Sequence, residues 1–190
     1  MIRWHVINGI VSDLLTSEQP GTRHLRVDVA ETGFFEGREF RISQELAIGS
    51  GQTQVFRFDA PIDFILQRQT LEVDAGAIRF MAYRDSQGAE GGTFTPVAMY
   101  GVNIMSGAPD YARQCSVSTG GTFAPGVGEE SVETIRLRTA GSTAQRSTVT
   151  GTVGDQRGLS AGVYYLMLEN IGNGEAAGVF TLKWEERPVA

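Results

Sequence analysis

The feature that most constrains this chain is alternation of apolar and polar side chains with a period of two, clearest from Gln54 to Arg84. Phe56 and Phe58 alternate with Val55 and Arg57. Ile65, Leu71 and Val73 share one parity, with Gln67 and Gln69 between them. Ile78, Phe80 and Ala82 oppose Arg79, Met81 and Tyr83. Successive side chains of a strand point to opposite faces, so this spacing builds one buried and one wetter face. Ala60-Pro61 interrupts the first pair of strands, because proline cannot donate to a ladder. Asp74-Ala75-Gly76 supplies the second corner, with glycine free to take positive φ. The spacing predicts a three-stranded β meander on which the remaining chain packs.

The same pattern recurs along the chain. Leu25 to Ala30 and Phe40 to Ile48 read as strands, as do Val132 to Thr139 and Ser147 to Val153. Val163 to Leu168 and Gly178 to Trp184 read as a closing hairpin over the Ile171–Glu175 loop, with Phe180, Leu182 and Trp184 on one face. Gly91-Gly-Thr-Phe-Thr-Pro96 has a near copy, Gly120-Gly-Thr-Phe-Ala-Pro125. Two copies do not make a solenoid, and they read as two glycine corners with a phenylalanine anchor and a proline stop. Helical spacing occurs only at the start, where Ile7, Ile10, Val11, Leu14 and Leu15 fall at i, i+3, i+4, i+7 and i+8. Gly9 and the β-branched residues oppose a helix there, so an extended arm is an equal alternative. Between Glu31 and Gly37, the adjacent Phe34 and Phe35 stand in a glycine loop, and one of them is expected to face outward or into an interface. The predicted fold is all-β: an antiparallel β-sandwich, in one version a jelly roll, with a short N-terminal helix or arm. Residues 1–22 form that arm and 23–190 a single sandwich domain.

At 190 residues with 24 glycines, one domain of short strands and many turns is the expectation. Sixteen basic and 22 acidic residues are mixed along the chain, for a net charge of −6, which argues against nucleic acid as a partner. Basic pairs such as Arg23/Arg26 and Arg136/Arg138 alternate with apolar residues, as on the wet face of a strand. The single cysteine, Cys115, excludes an intrachain disulfide and reads as a small buried apolar residue. No run is long and apolar enough for a membrane helix. His5, Asn8, Ser12 and Asp13 break the N-terminal apolar run, so no signal peptide is expected and synthesis is expected in a cytoplasm.

Chemistry has little to work with. His5 and His24 lack zinc spacing, and no calcium loop occurs. No serine sits at a Gly-x-Ser-x-Gly elbow before a helix. The glycine pairs precede strands or prolines, and Lys183 is the sole lysine, so a phosphate loop is excluded. Asp59/Asp63 and Glu129/Glu130 are the acid pairs a glycosidase could use, against readings as turn chemistry and a solvated loop. Trp4, Tyr83, Tyr100, Tyr111, Tyr164 and Tyr165 are the aromatics a glycan could stack on; Tyr164 and Tyr165 are adjacent on a strand, so one faces away from the core.

Three stretches, Arg26 to Phe40, Pro61 to Gln69, and Gly158 to Leu166 with Lys183 to Pro188, resemble small structural proteins of tailed bacteriophages. The resemblance spans nearly the whole chain and carries no catalytic motif. It implies a non-enzymatic virion protein that decorates or cements a capsid, or belongs to head or tail fibres. The partners it implies are other virion proteins, capsid or tail, and two further copies in a homotrimer. A tail-fibre module contacting host surface glycans is the alternative. Neither metal nor cofactor is expected. The interface candidates are Ile7, Ile10, Val11, Leu14, Leu15, Phe34 and Phe35.

Overall fold

The computed structural model describes residues 5–7, 10–12, 16–19, 22–25, 32–139, 151–152 and 157–187. The chain divides into two compact units, Met1–Thr32 and Gly33–Ala190. In the first, β1 (His5–Ile7) pairs antiparallel with β2 (Ile10–Ser12), and β3 (Thr16–Gln19) pairs with β4 (Thr22–Leu25). The helical alternative for the N-terminal segment therefore gives way, over these residues, to a two-stranded ribbon. Val6, Ile7, Ile10 and Val11 are β-branched and fit a strand better than a helix. The strand expected over Leu25 to Ala30 lies, after Leu25, outside the described residues.

The second unit is the sandwich. One helical turn, α1 (Thr32–Phe35), leads into β5 (Glu39–Ile48), β6 (Thr53–Ala60), β7 (Phe64–Ala75) and β8 (Ala77–Arg84). A 3-10 turn at Asp85–Gln87 precedes the short strands β9 (Gly88–Gly91), β10 (Thr95–Pro96) and β11 (Tyr100–Gly101). Then follow β12 (Ser116–Thr119), β13 (Thr122–Pro125), β14 (Glu133–Arg138), β15 (Gly151–Thr152) and β16 (Arg157–Leu159). The long strands β17 (Gly162–Asn170) and β18 (Ala176–Glu186) complete the unit. One sheet has the order β10-β12-β6-β17-β8-β14, the other β11-β5-β18-β7-β15, with β16 also on β7. All described pairings are antiparallel, as expected for a sandwich of this class.

The expected meander is not formed. β5, β6, β7 and β8 alternate between the two sheets, and so do β17 and β18, which are not a hairpin. At the β7–β8 corner the reason is geometric. A hairpin loop needs two or more residues, whereas Gly76 alone separates β7 from β8. Gly76 has φ 80°, and a Cβ there would stand 2.9 Å from the Ala176 Cα, so the chain arches across the sandwich instead of doubling back. Each arch points the apolar parity of both strands inward. Phe56, Phe58, Ile78, Phe80, Leu166 and Leu168 from one sheet meet Phe40, Ile42, Leu71, Val73, Phe180 and Trp184 from the other. Phe58 packs edge-on to Trp184, with ring centroids 5.1 Å apart.

The parity expected for β7 also changes midway. Trp184 pairs with Leu66 while Lys183 pairs with Arg68, which leaves Gln67 as a bulge. The core residues are thus Phe64 and Leu66 before the bulge and Leu71 and Val73 after it, and Ile65 is only half-buried. The outer face of the first sheet is not wet either. Val55, Tyr83 and Tyr165 there form a second apolar cluster under Phe123. The two Gly-Gly copies build that cover: β9 pairs with β13 and β10 with β12, so the copies lie side by side at the bend of one ribbon. Gly92 and Gly120 take φ 73° and 102°, and the ring of Phe94 occupies the place of a Gly121 Cβ.

A candidate docking surface at the Phe34–Phe35 corner

Two glycines let α1 seat tightly. A Cβ on Gly33 would overlap the Glu185 carboxylate. Gly37, at φ 72°, would bring a Cβ within 2.6 Å of the Pro109 carbonyl oxygen. Between them Gly37 N–H donates to the Phe34 carbonyl at 3.2 Å and Arg38 N–H to the Gly33 carbonyl at 2.8 Å. The aromatic rings of Phe34 and Phe35 meet edge-on, with centroids 5.3 Å apart. Phe34 is half-buried and Phe35 is 57% exposed.

The corner is tied to the last strand by charge. Arg38 is buried, and its Nη1 donates to Glu185 Oε1 at 3.1 Å and to the Glu186 carbonyl at 2.7 Å. Its Nε donates to Glu36 Oε2 at 2.6 Å. Beside it, buried Glu39 accepts from Gln67 Nε2 at 2.7 Å and stands 2.8 Å from Lys183 Nζ. On the core side Glu186 is fully buried, and its carboxylate accepts the N–H groups of Gln114 and Cys115, each at 2.9 Å. Buried charges persist only when paired or fully hydrogen-bonded, and these are.

A second segment joins Phe34. Asn103 Nδ2 donates to the Phe34 carbonyl at 3.1 Å, and Asn103 Oδ1 accepts Met105 N–H at 3.1 Å. Val102 N–H donates to the Glu39 carbonyl at 2.9 Å. Six large apolar side chains are exposed among the described residues, and four of them, Phe35, Tyr100, Ile104 and Met105, lie on these two joined segments. Ile104 is 89% exposed. Exposed apolar residues scattered singly need no explanation, but four on two hydrogen-bonded segments make this corner a candidate interaction surface. Such a surface can bury apolar area against a protein partner.

Of the residues expected from sequence, Phe35 is at this surface and Phe34 supports it from beneath. Ile7 and Ile10 are register partners in the β1–β2 ribbon, as are Val6 and Val11, so the helical spacing of the set does not apply. Leu14 and Leu15 lie outside the described residues. Sequence reasoning missed Ile104 and Met105, and named Tyr100 only as an aromatic that a glycan could stack on. Their only signal was apolar pieces without sustained alternation, between Asn103 and the Ser106-Gly107 break.

The other candidates do not converge. Asp63 Oδ1 accepts Ala161 N–H at 2.9 Å and Asp59 pairs with Arg57 at 3.3 Å, so both are occupied, though by distant or side-chain partners and not by the local turn expected. Glu129 and Glu130 are exposed, bridged by the Gln87 amide. Cys115 is buried in the core, and burial followed by the Glu186 charge pushes its thiol well above the ordinary range. Tyr164 faces the main core and Tyr165 the outer cluster, where its ring stacks on Phe123 and its hydroxyl donates to Glu90 Oε2 at 2.6 Å. Tyr83 is buried with it, Tyr111 is half-buried, and Trp4 lies outside the described residues. Tyr100 is thus the one exposed aromatic of the glycan set among the described residues. Compared with known protein families, curated proteins and solved structures, the chain matches none.

Proposed function

We propose that this is a non-enzymatic structural protein of a tailed-bacteriophage virion, which decorates or cements the capsid surface through an apolar docking surface and self-association as a homotrimer. The observation that carries the reading is the Phe35, Tyr100, Ile104 and Met105 corner, held in place by the buried Arg38 network. A pre-organised apolar corner loses little conformational entropy on docking, and several weak contacts across a trimer add avidity. The N-terminal ribbon, with Ile7, Ile10 and Val11, is the second contact. Co-sedimentation with particles lacking the protein tests this: wild type binds, and a chain without residues 1–15 loses most binding while its sandwich stays folded. Equal binding by the truncated chain removes the arm from the mechanism, and no binding by wild type removes the capsid. Exposed Tyr100 favours the second reading, a fibre module that contacts host glycans. A glycan array without hits counts against it.

A further inference from the structure

A cleft of about 50 Å³ lies between the two sheets, lined by none of the exposed residues of the docking corner. Among the described residues, Phe58 and Leu166 wall it from one sheet, and Phe64, Leu66 and Leu182 from the other. Core voids of this kind cost stability, and apolar ones stay dry. One water needs about 10–15 Å³ by the same measure, so the space holds roughly four heavy atoms of an apolar group. Charged groups stand only where the wall reaches solvent. Glu133 on β14 and Arg157 on β16 bridge the two sheets there, with Arg157 Nη1 3.4 Å from Glu133 Oε2. That contact is single and long beside the 2.7–2.9 Å of a well-formed guanidinium–carboxylate pair. The arrangement is a largely apolar slot, with buried Gln69 in its wall and an exchangeable guanidinium at its mouth.

We propose that this cleft binds a short aliphatic carboxylate of about four to six carbons, its tail between the sheets and its carboxylate on Arg157 in place of Glu133. A small apolar tail limits the affinity, so the Kd falls at about 1–10 mM. The binding is independent of the docking reading: it uses neither the Phe35 corner nor the N-terminal ribbon.

The test is a ¹H–¹⁵N NMR titration of the full chain with 3-methylbutanoate and, separately, with 3-methylbutanol. The carboxylate gives saturable shifts at Leu66, Leu166 and Leu182, and the alcohol binds several-fold more weakly. Arg157→Gln lowers carboxylate affinity to that of the alcohol, and Glu133→Gln, which frees Arg157, raises it several-fold. The proposal is overturned if no saturable shift occurs, if the shifts lie outside the cleft, or if both compounds bind equally. Should Arg157→Gln fail to fold, an unchanged or lower affinity in Glu133→Gln overturns the exchange instead.

Discussion

Arg38 and Glu185, 147 residues apart in sequence, meet at 3.1 Å in a buried ion pair that fastens the start of the sandwich to its last strand. Gly33 lies directly against the same carboxylate, so the pair also sets the position of Phe34 and Phe35.

Removing one partner of such a pair leaves a buried charge alone. Arg38→Met is expected to destabilise the sandwich by about 3–5 kcal/mol in urea unfolding. Combining it with Glu185→Leu should recover part of that loss. A double variant as unstable as the sum of the single ones would show that the two residues act independently.

The proposed docking surface should behave in the opposite way. Phe35→Asp and Ile104→Asp alter exposed positions, so stability should change by no more than about 0.5 kcal/mol. Binding to particles should fall sharply in both. Retained binding at unchanged stability would take this corner out of the mechanism.

Backbone packing makes a separate demand at Gly178. Its Cβ position is filled by the Glu72 carbonyl oxygen, where β18 crosses a register shift against β7. Gly178→Ala should cost about 1–3 kcal/mol or more, because the rigid partner is backbone. A silent substitution would mean that this bulge relaxes freely.

Glu133 gives the protein a pH dependence of defined sign. Burial raises its pKa above the ordinary 4.5, with Arg157 opposing. The folded state therefore holds this proton to higher pH than the unfolded state does. Its contribution is fully present below the unfolded value and declines as pH rises through the folded one. Stability curves of wild type and Glu133→Gln should diverge across that window, with the variant flatter. Parallel curves would assign the proton elsewhere.

Cys115 should be inert. Its thiol is buried and held protonated by burial and by the Glu186 carboxylate. Modification by DTNB should be no faster than unfolding, and full reaction should need denaturant. Rapid labelling of the native protein would contradict its place in the core.

Much of the sandwich is legible in the alternation itself. Phe40, Ile42, Leu46 and Ile48 on β5, and Phe180, Leu182 and Trp184 on β18, are buried as their parity requires. Parity is a local property, and it misleads where a residue is inserted: Gln67 shifts Ile65 off the core face and brings Phe64 and Leu66 onto it. The docking corner is half legible. Two aromatics between glycines announce that one faces out, but nothing near Phe34 in sequence names Asn103, which carries Ile104 and Met105 to the same corner.

From its sequence alone this chain is all-β, rich in turns and poor in reactive groups, because period-two spacing and glycine placement act over a few residues at a time. Which strand joins which sheet was decided only in three dimensions. A one-residue corner at Gly76 cannot close a hairpin, so β7 and β8 become partners across the core instead of along a ladder. The buried carboxylates of Glu39, Glu185 and Glu186 follow the same rule. Their partners Gln67, Arg38, Gln114 and Cys115 come from distant segments, and only the folded chain brings enough donors together to keep those charges out of water.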